Sequence, residues 1–145
     1  MRIVVDTNIA SSATLNTDSK IGRIILQPKT RLNFYSTEQL LEELKKHRVK
    51  LLELTDYTDH ELDRIISLVT NRIRFINVKL IPIKMYENAE NLCSSIDIDD
   101  TEFVALTNHI KGKLWSGDKE LKDGLIQKNW RKFITTEELL KIVQN

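Results

Sequence analysis

Residues Arg2–Asn8 read RIVVDTN. Three β-branched apolar residues, Ile3, Val4 and Val5, run directly into Asp6, so a buried strand ends on a carboxylate. Near the other end of the chain, KLWSGD (Lys113–Asp118) repeats the plan, a short apolar run followed by an aspartate. Between these two stretches, strand and helix signals alternate. Apolar residues at Ile21, Ile24 and Ile25 have helical spacing within Asp18–Leu26, and Pro28 ends that helix. Leu32–Tyr35 and, more weakly, Phe75–Val78 read as short strands, and Phe133–Ile134 as a last one. Ser36 with Gln39, Thr58 with Glu61 and Thr135 with Glu138 have capping-box spacing and open three helices. Met85–Cys93 and a segment from about Asp99 to Ile110 are also helical, with Gly112 placed to end the latter. The alternation predicts a single α/β domain, residues 1–145, with a short-stranded, mostly parallel central sheet and many helices.

The totals restrict the function. Over 145 residues the chain is 41% hydrophobic and 30% charged, a globular composition, and its net charge of +1 is no general basic field for nucleic acid. Cys93 stands alone, which excludes a disulfide within the chain and suits a buried thiol. No apolar run approaches ~18 residues and no signal-like segment opens the chain, so a soluble, cytoplasmic protein with no membrane partner is expected.

In open parallel sheets the functional crevice lies beyond the carboxyl ends of the strands, which places Asp6 and Asp118 at one edge. Two further acids border apolar helical stripes. Glu43 lies three residues after Leu40 and just before Leu44, while Glu42 falls on the wetter side. In DIDDTEF (Asp97–Phe103), Asp99 suits the N-cap, with Glu102 at capping-box distance, and Asp100 lies at the edge of the buried face, three residues before Phe103. Each aspartate alone reads as an ordinary cap, and Glu42 as a solvated surface group. Together, four like charges about 6 Å apart would repel by roughly 3 kcal/mol per pair at an effective dielectric near 20. A divalent cation relieves this, and an all-oxygen donor set favours Mg²⁺ or Mn²⁺ over zinc. His47, His60 and His109 have no ligand spacing and read as solvated or partner-facing. Lys45, Lys46, Arg48 and Lys50 after Glu43, and Lys113, Lys119 and Lys122 around Asp118, are candidates to meet substrate phosphates, Lys45, Lys46 and Lys119 foremost.

These motifs resemble the PIN domain, the nuclease fold of many prokaryotic VapC-type toxins, over nearly the whole chain. VVDTNI is similar to the family's opening strand and first acid, Asp6; STEQLLEELKK to the segment bearing the family glutamate, Glu43; DIDDTEFVAL to the third motif, Asp100; and LWSGDKEL to the fourth, Asp118. Asn8 and Ser116 fall where family members hold polar groups around the metal, and Asp97 is an outer-shell candidate. Thr107 and Asn108 depart from the small apolar residues usual late in the third helix. The resemblance implies a three-layer α/β/α fold and metal-dependent hydrolysis of RNA, with Asp6, Asp100 and Asp118 holding Mg²⁺ or Mn²⁺ and Glu43 on a second ion or the attacking water. It also implies a small antitoxin protein as partner, its tail covering the pocket, and a homodimer. Two other readings stay open: a catalytically silent PIN-like module that binds RNA or protein, and a phosphotransfer or receiver-type domain. The latter needs an acidic pair where Asp6 has Thr7 and Asn8.

Overall fold

The computed structural model describes residues 1–28 and 30–144. Four strands, β1 (Arg2–Val5), β2 (Asn33–Ser36), β3 (Ile73–Phe75) and β4 (Lys113–Trp115), form one sheet in the order β3-β2-β1-β4. Every pairing is parallel, with Val4 opposite Tyr35 on one side and Leu114 on the other. Ile3, Val4 and Val5 are all fully buried although alternate side chains of a strand point to opposite faces, so both faces of β1 are covered.

The cover comes from helices that pack in two groups. The first gathers α1 (Thr7–Leu15), α2 (Lys20–Ile25), α3 (Glu38–Lys46), α5 (Asp59–Thr70) and α9 (Thr136–Gln144); the second gathers α6 (Ile83–Cys93), α7 (Thr101–Ile110) and α8 (Lys119–Gln127), with α7 against β1 and β4. A short α4 (Arg48–Glu53) follows α3. The expected three-layer α/β/α architecture is therefore present. No described helix is long and apolar enough to cross a membrane.

The connectivity positions the site. The chain steps from β1 to β2 to β3 toward one edge, then returns to lay β4 on the other side of β1. The order reverses between β1 and β4, and a crevice opens outside the carboxyl ends of strands at such a switch. Asp6 and Asp118 follow these two neighbouring strands.

Several elements differ from the sequence reading. Ser36 does not open α3: it ends β2, fully buried, and its hydroxyl donates to the Val5 carbonyl at 2.8 Å. Thr37 takes the N-cap position with no side-chain hydrogen bond. The third strand lies at Ile73–Phe75, not Phe75–Val78, because Val78 enters a 3₁₀ turn capped by Asn77. Phe133 contributes only an isolated bridge to Leu114. The capping boxes at Thr58/Glu61 and Thr135/Glu138 both form. Gly112 follows the end of α7, yet the left-handed residue there is Lys111, at φ 55°. Gly112 is needed for close approach instead: a Cβ would stand 2.7 Å from the Arg2 carbonyl oxygen, where β4 starts beside β1. Cys93 is buried as expected, and burial, with Asp100 nearby, pushes its thiol up to about 11.

Candidate metal centre

Each acid reaches the sheet edge for a local reason. Asp6 leaves β1 in extended conformation and caps α1, its Oδ1 accepting the Ile9 N–H at 2.9 Å. Asp118 leaves β4 and caps α8, its Oδ1 accepting the Leu121 N–H at 3.1 Å, while its own N–H donates to the Ser116 hydroxyl. The capping role and the strand-end role thus fall on the same side chains. In both, one carboxylate oxygen satisfies a helix, and both side chains line the pocket.

Glu43 comes from the inner edge of α3. Its Oε1 accepts the Thr7 hydroxyl at 2.6 Å and the Gln39 amide at 3.2 Å. Glu42 is exposed and turned away, as its helical position predicts. The third acidic segment is arranged differently from the expectation. Asp99 is not the N-cap of a helix: Asp97, in extended conformation, accepts the Asp99 N–H and caps a 3₁₀ turn over Ile98–Asp100, and α7 begins only at Thr101. This extra turn aims Asp100 inward, and the Asp99 carbonyl is left to accept the Gln39 amide.

The result is a pocket of about 140 Å³, lined by Asp6, Glu43, Asp97, Asp99, Asp100 and Asp118, with Thr7, Asn8, His47 and Phe103 completing its wall. All four acids singled out in the sequence are brought together. Oxygens of Asp97, Asp100 and Asp118 lie within 4.8 Å of one another, so Asp97 joins two of the expected ligands in a group close enough to hold an ion. Asn8 lines the pocket, and Ser116 reaches it through Asp118 and Asp6. Lys45, Lys46 and Lys119, expected at substrate phosphates, are exposed and do not line it. Sequence reasoning missed Thr7 and His47. Both had a signal: Thr7 directly follows Asp6, and His47 lies one helical turn after Glu43.

The electrostatics follow from burial. Asp6 is 3% exposed, and desolvation pushes its carboxyl up to about 6, reinforced by Asp118 and Glu43 and opposed by Ser116 and the Ile9 N–H. Desolvation also pushes Asp100 up to about 7, with repulsion from Asp97, Asp6, Asp118 and Glu43 adding to it. The ion pairs among the described residues lie elsewhere, Lys20 with Glu137 and Arg48 with Asp59 and Asp63, so no described lysine or arginine is ion-paired with these acids. The Oδ2 of Asp100 is buried with no hydrogen-bond partner. An unpartnered buried carboxylate oxygen, facing two more carboxylates in an all-oxygen donor set, fits a hard divalent cation.

The parallel α/β domain thus gathers its acids at the topological switch point of the sheet. The family model for the PIN domain matches residues 4–139, and the chain belongs to that family, whose members are generally nucleases that use divalent metal. No curated protein matches the chain in sequence.

Proposed function

We propose that the protein is a Mg²⁺- or Mn²⁺-dependent endoribonuclease, the toxin of a toxin–antitoxin pair. The observation that carries the hydrolase reading is the gathering of Asp6, Glu43, Asp100 and Asp118 around an unpartnered Asp100 oxygen, with no described lysine or arginine ion-paired to them. Asp97, Asp100 and Asp118 are the residues to hold the ion, with Asp6 beside them in the same pocket. The ion would supply positive charge opposite the scissile phosphate and make a nearby water more acidic. Glu43, fixed through Oε1 by Thr7 and Gln39, keeps Oε2 to orient that water and accept its proton. Asn8 is exposed at the pocket rim, where its amide can donate to a phosphate oxygen. Lys45, Lys46 and Lys119, exposed around the acids, act further out and draw the polyanion in.

RNA as substrate and a small antitoxin as partner rest on the likeness of the four motifs to the toxin branch of the family. Self-association rests on two exposed apolar residues, Leu80 (66%) at the end of the 3₁₀ turn before α6 and Ile83 (77%) at the start of α6. The direct test incubates the purified chain with mixed RNA and Mn²⁺, with and without chelator. Cleavage that needs the metal and disappears in Asp6→Asn supports the reading; cleavage unchanged by Asp6→Asn overturns the role of Asp6, and no cleavage under any divalent metal favours a silent binding module. Copurification of a small protein encoded next to the gene tests the antitoxin. Sedimentation showing only monomer at micromolar concentration removes the dimer.

A further inference from the structure

Asn8 and His47, which line the acidic pocket, also line a second hollow beside it, about 340 Å³ in volume. One wall is a single face of α1, where Asn8, Ser11, Ser12 and Leu15 recur at helical spacing. The opposite wall has the same spacing along α4 and its flanks: His47, Lys50, Leu51 and Leu54. Both walls start at the acids and run away from them, α1 from its cap Asp6 and the other wall one turn beyond Glu43. Facing helices usually close on each other through apolar stripes, but α1 presents an amide and two hydroxyls here. The Ser11 Oγ is buried without a hydrogen-bond partner. Across from it, Leu54 is 60% exposed, and Lys50 stands exposed with no ion pair among the described residues.

We infer that this trough is a binding subsite for the nucleotide adjoining the scissile phosphodiester of a single-stranded substrate, an inference that rests on the hydrolase reading above. Three features of the trough match three parts of a nucleotide. Leu15, Leu51 and Leu54 offer an apolar bed for the flat base. Ser12 and Asn8 offer donors and acceptors to its edge. His47, at the end shared with the acids, offers a ring nitrogen to the phosphate, and Lys50, one turn further on, offers positive charge. Because no Phe, Tyr or Trp ring lines the trough, and His47 stands at the end shared with the acids, the base on the leucine bed is held by its edge rather than by stacking, which gives a base preference at this one position. A paired base cannot enter, so the strand must be single. Continuity with the acids and the cationic rim favour a nucleotide over an apolar peptide.

The test uses the full chain in two measurements. Amide spectra are recorded in EDTA during titration with a single-stranded RNA pentanucleotide. Hydrolysis of a longer RNA and of bis(4-nitrophenyl) phosphate, which has no base, is followed with Mn²⁺. Shifts concentrated in residues 8–15 and 47–54 are expected. Ser12→Trp, which fills the trough, and Leu54→Glu, which puts a charge into the apolar bed of the base, are each expected to lower kcat/KM for RNA by about tenfold more than for the small diester. Shifts confined to other surfaces, or equal losses on the two substrates in both variants, would overturn the subsite; so would trough amides silent to RNA but moved by a copurifying protein. A wild-type chain that hydrolyses the small diester with a silent trough refutes the subsite alone. A trough that responds to RNA in a chain inert toward both substrates leaves a nucleotide-binding trough but refutes the hydrolase reading, and with it the placement of the subsite beside a scissile bond.

Discussion

Thr7 and Glu43, 36 residues apart in sequence, are joined by a hydrogen bond of 2.6 Å. It ties the first turn of α1 to α3 and fixes the one acid of the pocket that comes from neither a strand end nor the 3₁₀ turn before α7. A hydroxyl–carboxylate bond of this kind contributes about 1.5–3 kcal/mol, and most of that is lost if the hydroxyl is removed. Thr7→Val should therefore lower kcat for RNA cleavage by roughly tenfold, with little change in KM. Thr7→Ser should restore most of the loss. Steady-state kinetics on the two variants, with circular dichroism to confirm folding, checks this.

The double duty of Asp6 and Asp118 separates fold from activity. Asparagine caps helices about as well as aspartate, whereas alanine costs about 1 kcal/mol at such a position. Asp118→Asn and Asp118→Ala should both abolish metal-dependent cleavage. Only the alanine variant should melt lower, by about 3 °C in a chain of this size. Thermal unfolding in EDTA makes the comparison; equal melting points would show that the cap carries no weight.

The stability of the metal-free chain should depend on pH in a sense opposite to the usual carboxylate. Burial raises Asp6 to about 6 and Asp100 to about 7, above the 3.8 of the unfolded groups. Between about pH 4 and pH 7 the folded chain therefore keeps protons that the unfolded chain has released. The contribution of these two groups falls as pH rises through that window, for Asp6 by on the order of 3 kcal/mol. In EDTA, Asp6→Asn should gain stability over the wild type as pH goes from 5 to 8, and the gain should vanish near pH 4. Mn²⁺ affinity should strengthen over the same interval, because the ion competes with these protons. Melting curves across pH and calorimetric titration with Mn²⁺ read out the two halves.

Asp97 and Asp99 are two residues apart, both acidic and both at the pocket wall, yet they should behave differently. Asp97 shares a tight trio with Asp100 and Asp118, while Asp99 is fixed through its backbone, by Asp97 and by Gln39. Asp97→Asn should weaken Mn²⁺ binding by about tenfold or more, within the range seen when a metal site loses a supporting group. Asp99→Asn should change it less than threefold. The rise in melting temperature with Mn²⁺ concentration gives both affinities.

Much of this site is legible in the chain because its placement follows from strong local signals. An apolar strand must be covered, a strand-end aspartate before a helix is forced to the sheet edge, and a 3.6-residue period puts Glu43 rather than Glu42 on the inner side. What the chain hides is decided by tertiary competition. Ser36 carries a capping signature but is spent on the Val5 carbonyl, since β2 needs a buried hydroxyl there more than α3 needs a cap. The cap at Asp97 rather than Asp99 depends on a 3₁₀ turn that no periodicity announces. His47 looks idle in sequence because it has no ligand spacing, and its place on the pocket wall follows only once Glu43, one helical turn earlier, is known to face the pocket.

The shared use of Asp6 and Asp118 also bears on how such a gene can change. An aspartate codon becomes an asparagine codon by a single base substitution. At either position that step would leave an intact, expressed and still recognisable protein whose chemistry is gone. Descendants of this gene can thus drift from enzyme to inert decoy without passing through a misfolded ancestor, and strand-end asparagines in related chains would be the fossil of that passage.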